Sequence, residues 1–324
     1  MTTLQILYHG HCFDGAVSAA LFTRFYRLQV DAAAAISYRP MAHGQGDPYG
    51  PDHDRTFSAD ENVVVDFRYS PSSRLTWFCD HHESAFLSPA DREAYLAAPS
   101  PRKCFDPTAP SCAGLLARFL AERHGFDARA VADHVRWADL IDAARFESPA
   151  QAVELAEPAL QLMALLESGP SDALVNALIE GLSEGSIAEV HRRREVQEAL
   201  LPVLLAQRET LDLVRARLEL DGGVAYFDLS EDGVTGFNKF IPYYLHPETR
   251  YTVGLTAGAR RAKVSVGSNP WRRPEPLTNL AELCGRYGGG GHPVVAGISF
   301  APEERARARQ AALEIAATLR ETRR

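Results

Sequence analysis

The sequence has little cysteine and none of it in adjacent pairs. Its five cysteines (Cys12, Cys79, Cys104, Cys112, Cys284) are odd in number and form no C-x-x-C motif. That argues against a disulfide framework and a cysteine-rich zinc site, and favours a reducing compartment. Long apolar runs are also missing. None reaches the roughly 18 residues of a membrane span, and Met1–Gly10 lacks the basic start and long apolar core of a secretory signal. The expectation is a cytoplasmic protein with no membrane partner. Lysine is scarce (Lys103, Lys239, Lys263 only), and there is no basic stripe of the kind that tracks long single strands. Internal repeats and low-complexity segments are absent. With 34 Lys+Arg against 42 Asp+Glu, the net charge is −8. This disfavours a broad nucleic-acid surface but leaves room for one short anionic ligand.

What is present is an ordinary globular balance, 46 % apolar and 23 % charged over 324 residues, a length that suggests two domains. The charge is unevenly spread. Residues 1–150 hold 14 basic and 19 acidic side chains, residues 151–220 hold 6 and 12, and residues 221–324 hold 14 and 11. The last third is thus locally basic, at +3, on an acidic chain.

Leu4–His9 reads as a buried strand followed by a helix over Asp14–Arg27. Ala32–Tyr38, Val63–Asp66 and Leu75–Cys79 are further strands, and Ser111–His124 and Ala128–Ala144 are helices. Alternation of this kind predicts an α/β domain with a mainly parallel sheet over residues 1–150. Arg39–Phe57 reads as a surface loop in which His43 and His53 face solvent. Residues 151–220 have helical period throughout and read as a linker, with Pro202 kinking or dividing its last helix and Arg192-Arg193-Arg194 on a solvated face. Strands return in Val224–Asp228, Tyr251–Ala257, Ala262–Val266 and Val294–Phe300. With helices over Leu280–Tyr287 and Pro302–Arg320, they make residues 221–324 a second, smaller α/β domain.

Four groups carry acid or imidazole: His9-Gly10-His11-Cys12-Phe13-Asp14-Gly15 after the first strand, Asp66 ending the third, Asp80-His81-His82-Glu83 ending the fourth, and Asp139 with Asp142 in a helix. Ligands of open α/β sheets gather at the carboxyl ends of strands, so the first three groups are expected to converge. Imidazoles and carboxylates without a thiolate pair suit two close divalent ions.

Asp80-His81-His82 resembles the motif that names the DHH phosphoesterase family. His9, Asp14-Gly15, Asp66 and the helix-borne aspartates stand where the family's other metal motifs fall. Gly288–His292, followed by Ala296-Gly297, resembles the glycine-rich motif of the DHH-associated domain. The resemblance spans nearly the whole chain, in the oligoribonuclease and exopolyphosphatase-like branch. It implies a two-domain hydrolase of phosphate esters or anhydrides with a bimetal centre between the domains, manganese first among Mn²⁺, Zn²⁺, Fe²⁺ and Mg²⁺.

Carried over by residue, His9, Asp14, Asp66, His81 and Asp139 would hold metal, Asp66 bridging and Asp142 standing as substitute for Asp139. Asp80 would orient His81, and His82 would contact the phosphate or protonate the leaving oxygen. Gly289, Gly290, Gly291, His292 and Arg286 would bind substrate. That substrate is expected to be a small phosphodiester such as a short oligonucleotide or dinucleotide. Pyrophosphate or polyphosphate, or a phosphate-binding protein with weak catalysis, are the alternatives, and a homodimer is compatible with the family.

The sequence departs from the family twice. Cys12 stands where many members have a carboxylate. It could bind metal, His11 could replace the missing group, the first ion could be loosely held, or the thiol could simply be packed. Gly267 occupies the place of a phosphate-holding arginine, leaving Lys263, Arg272, Arg273 or Arg286 to supply that charge.

Overall fold

The computed structural model describes every residue except 43, 45, 323 and 324; His43 therefore lies outside the described residues. The chain forms two compact units. The first comprises residues 1–146 and 156–203, the second residues 147–155 and 204–324. The stretch expected as a separate helical linker is thus divided between them.

In the first unit five strands make a wholly parallel sheet: β1 (Thr3–His9), β2 (Ala35–Met41), β3 (Glu61–Val65), β4 (Trp77–Asp80) and β5 (Lys103–Phe105), in the order β2-β1-β3-β4-β5. Val63, Val64 and Val65 are fully buried, as β-branched residues on a strand covered on both faces should be. Because the strands are parallel, the ends of β1, β3 and β4 open onto one edge.

The helix Phe13–Gln29 leaves that edge directly after β1. Most of its residues are buried, since it is covered on more than one side. Arg27 grips Glu180 with two nitrogens at 2.6 and 3.1 Å, Tyr38 donates to the same carboxylate at 2.8 Å, and Arg24 donates to the Ser183 carbonyl at 3.0 Å. These bonds fasten the helix Asp172–Glu184 to the first unit.

The surface-loop expectation for Arg39–Phe57 needs amending. His53 opens the short helix His53–Thr56 and hydrogen-bonds Asp47 and Ser70 at 2.6 and 2.7 Å, and Tyr49 is buried. Nor does Pro202 divide its helix, which continues from Arg194 to Arg217. The interruption falls at Arg192-Arg193 instead. There the Arg193 guanidinium fills the space a Cβ on Gly181 would need and donates to the Ala177 carbonyl at 3.3 Å.

The second unit is a six-stranded mixed sheet: β6 (Glu219–Asp221), β7 (Val224–Leu229), β8 (Tyr251–Ala257), β9 (Ala262–Ser268), β10 (Gly290–His292) and β11 (Val295–Phe300), ordered β10-β11-β9-β8-β7-β6. The helix Arg305–Glu321 lays Ala308, Ala311, Ala312, Ile315, Ala316 and Leu319 on its core, a helical spacing of small and branched residues.

The glycine run, expected to bind substrate, is partly strand. Gly290, Gly291 and His292 pair with Gly297, Ala296 and Val295. A Cβ on Gly291, whose φ is +144°, would lie 2.5 Å from the Val295 carbonyl oxygen. Glycine there serves close approach within a hairpin.

One close approach decides where the first unit's helix begins. A Cβ on Gly15 would sit 2.2 Å from the His9 carbonyl oxygen and 3.2 Å from Asp66 Oδ2. Backbone cannot swing aside as a side chain can. We expect Gly15→Ala to lower the unfolding free energy by about 1–3 kcal/mol, the range for overpacking. Urea denaturation would read this, and an unchanged midpoint would show that the helix start can shift freely.

Candidate metal centre

The site is built from the register of β1 and β3. Tyr8 pairs with Val65, so the next residues, His9 at the end of β1 and Asp66 just past β3, lie at the same level. Asp66 has φ +57°, the left-handed region, which costs a non-glycine residue roughly 1–2 kcal/mol and which aspartate tolerates better than most. The turn is fixed by the Asp66 amide donating to the Cys79 carbonyl at 2.9 Å. It leaves Asp66 fully buried, with neither carboxylate oxygen hydrogen-bonded. Around it stand His9 Nδ1 at 3.5 Å, His81 Nε2 at 3.5 Å and His82 Nδ1 at 3.7 Å.

Asp14, also buried, is held by main chain. Its two oxygens accept from the amides of Cys112 at 2.6 Å and Ala113 at 2.9 Å, the first turn of the helix Cys112–His124. Unpaired amides at a helix start are natural partners for an anion.

His81 is oriented by the Ala109 carbonyl, 3.0 Å from Nδ1. That leaves Nε2 directed at Asp142 Oδ2 (3.4 Å), Asp66 Oδ1 (3.5 Å) and Asp14 Oδ2 (3.6 Å). A ring N–H given to a backbone carbonyl while the other nitrogen faces carboxylates is the usual posture of a metal-ligating histidine.

The expected partnership of Asp80 with His81 is corrected. Asp80 Oδ1 accepts from the His81 and His82 amides at 2.8 and 3.3 Å and binds His82 Nδ1 at 2.8 Å. Asp80 therefore shapes the turn and aims the His82 ring, not that of His81.

The two helix-borne aspartates also separate. Asp139, expected ahead of Asp142, accepts from Ser111 Oγ at 2.5 Å. Ser111 in turn caps the helix Cys112–His124 through the Gly114 amide at 2.9 Å. Asp142 is the one that reaches His81. His11 is exposed and turned away; its ring lies 3.5 Å from where a Gly169 Cβ would be. Cys12 Sγ, by contrast, falls in one group with His9 and Asp66. Arg286 and Gly290–His292 are exposed on the second unit.

Among the described residues, three sets of donor atoms lie within 4.8 Å of one another: His9, Cys12 and Asp66; Asp66, His81 and His82; Asp14, His81 and Asp142. Two donors each about 2.0–2.2 Å from a shared ion, at tetrahedral or octahedral angles, stand roughly 3–3.5 Å apart. The 3.4–3.6 Å spacings about His81 Nε2 are close to that figure, and Nε2 makes no hydrogen bond. The residues fit divalent ions.

The electrostatics show the same need for positive charge. Burial alone would raise Asp66, but the imidazoles of His81 and His9 outweigh it and hold its pKa down to about 2. Burial opposes the His81 imidazolium, yet Asp66 and then the Ala109 carbonyl and Asp14 lift it to about 10. Asp14 is pushed well up by burial and by the charges of Asp66 and Asp142. Asp142 is raised by burial and Asp66. Burial also raises Asp80, against the pull of His82, and raises Cys12, with Asp66 adding to the effect. Without a metal, a proton on imidazole supplies part of the missing cation.

No family model and no curated protein matches the chain. Solved structures do. A pGpG-specific phosphodiesterase, PggH of Vibrio cholerae, is similar over 98 % of this chain and 99 % of its own, with 20 % identity and a TM-score of 0.68. A DHH domain described as belonging to a family of ribosomal proteins is similar over 97 % and 86 %, with 15 % identity and a TM-score of 0.55. An exopolyphosphatase-related protein of Bacteroides fragilis follows over 99 % and 94 %, with 14 % identity and a TM-score of 0.51. At such identities the likeness is one of fold: the chain has the α/β fold of the DHH proteins, with one wholly parallel and one mixed sheet.

Proposed function

We propose that this chain is a divalent-metal-dependent phosphodiesterase of the DHH type that hydrolyses a small phosphodiester, a linear dinucleotide foremost. The observation that carries the reading is the buried Asp66 carboxylate, without a hydrogen bond of its own and common to two of the three donor sets. His9, Asp14, Asp66, His81 and Asp142 would hold two ions, manganese first, with Asp66 shared. Bound there, such ions supply charge that polarises a phosphoryl group and acidifies water.

The chain's own groups do the rest. Asp80 commits His82 Nδ1, and although burial opposes the imidazolium, Asp80 raises its pKa above the ordinary value. That upward shift favours the imidazolium form of His82. In hydrolysis a water oxygen joins phosphorus and gives up its proton to solvent, the bond to the sugar oxygen breaks, and His82 Nε2 gives its proton to that leaving oxygen and is reprotonated from solvent. On the second unit, we assign Arg286, His292 and the Gly289–Gly291 run to substrate binding. The dinucleotide is favoured by the likeness to PggH, which extends over nearly the full length of both chains. The weaker likeness to an exopolyphosphatase-related protein favours polyphosphate as the second reading.

Purified protein with Mn²⁺ should release mononucleotide from a linear dinucleotide and lose this activity to a chelator. Asp66→Ala and His81→Ala should each lower it by more than about 100-fold, beyond the loss that changes around a ligand produce. If metal-replete protein turns over neither dinucleotide, cyclic dinucleotide, pyrophosphate nor polyphosphate, the enzyme reading is wrong and a binding role replaces it.

The two aspartates give a sharper test. Asp142→Ala should cost metal content. Asp139→Ala should leave metal bound while lowering stability by about 1–3 kcal/mol, through loss of the bond to Ser111. The opposite pattern would exchange their roles.

Proton release gives a third. His81, with an ordinary pKa of 6.5 and a metal-free value of about 10, is protonated at neutral pH. A metal needs that lone pair, so binding expels the proton and affinity rises with pH up to about 10. Calorimetry at pH 7.5 in buffers of different ionisation enthalpy should detect the released proton. Identical heats in both buffers would contradict this.

A further inference from the structure

We propose that Cys12 supplies a thiolate to the ion subsite it forms with His9 and Asp66, so that this subsite and the one formed by Asp14, His81 and Asp142 prefer different metals. The inference rests on the metal-dependent reading above and adds which residue sets metal preference. Cys12 Sγ, a His9 ring nitrogen and an Asp66 carboxylate oxygen lie within 4.8 Å of one another. Cys12 stands at the position that usually caps a helix start, with extended backbone (φ −123°, ψ 137°), but its side chain makes no capping bond. The preceding residue explains its direction. His11 is left-handed at φ +57°, and its ring points to Gly169, leaving the next side chain to face the site.

A cysteine alone would mean little, but Asp66 is an independent sign of a ligand. It is fully buried, in the same group, and neither oxygen is hydrogen-bonded. The other cysteines are occupied elsewhere. Cys104 Sγ lies 2.8 Å from Cys79 Sγ, Cys112 Sγ donates to the Cys79 carbonyl at 3.2 Å, and Cys284 is buried in the second unit's core. Among the described residues, Cys12 is the one cysteine in a donor group.

The chemistry of the two sets then differs. His9, Cys12 and Asp66 offer nitrogen, sulfur and oxygen; Asp14, His81 and Asp142 offer two oxygens and one nitrogen. A soft thiolate selects Zn²⁺ or Fe²⁺, whereas carboxylate-rich sets suit Mn²⁺ or Mg²⁺. Binding at the first subsite transfers the thiol proton to solvent, and no bond other than S–H is broken.

Cobalt reports the ligand directly. The metal-free full chain is titrated with Co²⁺ under reducing conditions, with bound cobalt counted by equilibrium dialysis. The expected result is an intense near-ultraviolet thiolate-to-cobalt band in the unaltered protein. It should be absent from Cys12→Ser and Cys12→Asp, although both still bind cobalt through the remaining donors. Cys12→Asp should also shift the preference for Zn²⁺ over Mn²⁺ towards Mn²⁺ by at least about tenfold, the scale on which changes around a metal ligand act. Cobalt bound without the band, or a band that survives Cys12→Ser, overturns the proposal. If cobalt binds and a dinucleotide is hydrolysed but no band appears, the thiolate assignment alone falls. If no cobalt binds, the metal-dependent reading falls with it.

Discussion

A carboxylate buried at the end of a parallel strand, with no hydrogen bond to either oxygen, sets the terms for the residues around it. An ionised carboxylate taken out of water without a partner costs several kcal/mol. Asp66 is taken out of water by a left-handed turn that itself costs energy. Three imidazoles at 3.5–3.7 Å keep it charged, and His9 and His81 are close enough to share a cation with it. The helix start at Gly15, the Ala109 carbonyl and the turn at Asp80 all serve to bring donors to that one group.

Much of this is legible in the sequence because it depends on local order. The uninterrupted Val63-Val64-Val65 run reads as a strand buried on both faces, and a parallel sheet brings the ends of β1, β3 and β4 to one edge. What cannot be read depends on contacts distant in sequence. Asp139 and Asp142 lie three residues apart on one helix face, and periodicity cannot separate them. Ser111, some thirty residues earlier, takes Asp139 and leaves Asp142 for His81. Likewise Asp80 adjoins both histidines, and only the Ala109 carbonyl decides that its ring partner is His82. Lys103–Phe105 does not announce itself as a strand, because three half-buried residues carry no usable period. That the glycine run is part of a hairpin cannot be read either, because its pairing with Gly297, Ala296 and Val295 is tertiary information.

The net charge of −8 changes meaning once the aspartates are placed. Asp14, Asp66 and Asp80 are buried and turned inward, and Asp142 faces the same cluster. They describe an internal site, not a surface that repels phosphate. Two divalent ions among them would reverse the local field. The remaining acidic exterior still disfavours a long polyanion. With such ions bound, a small phosphodiester at that edge would meet neither the exterior charge nor the need for a basic groove.

The way the donors are held bears on how such a site would work. Asp14 is fixed by two helix amides, His81 by a carbonyl, and Asp80 by the amides of the residues it serves. Main-chain groups in sheet ends and helix starts move less than side chains, so the donors are aimed before any ion arrives. Preorganised dipoles need not reorganise when charge develops on a reacting phosphate, which is where electrostatic catalysis gains most. The same arrangement explains why the strain at Asp66 is tolerated. The Cys79 carbonyl holds its amide and the parallel ladder holds β3, so the turn cannot relax without giving up sheet hydrogen bonds on both sides.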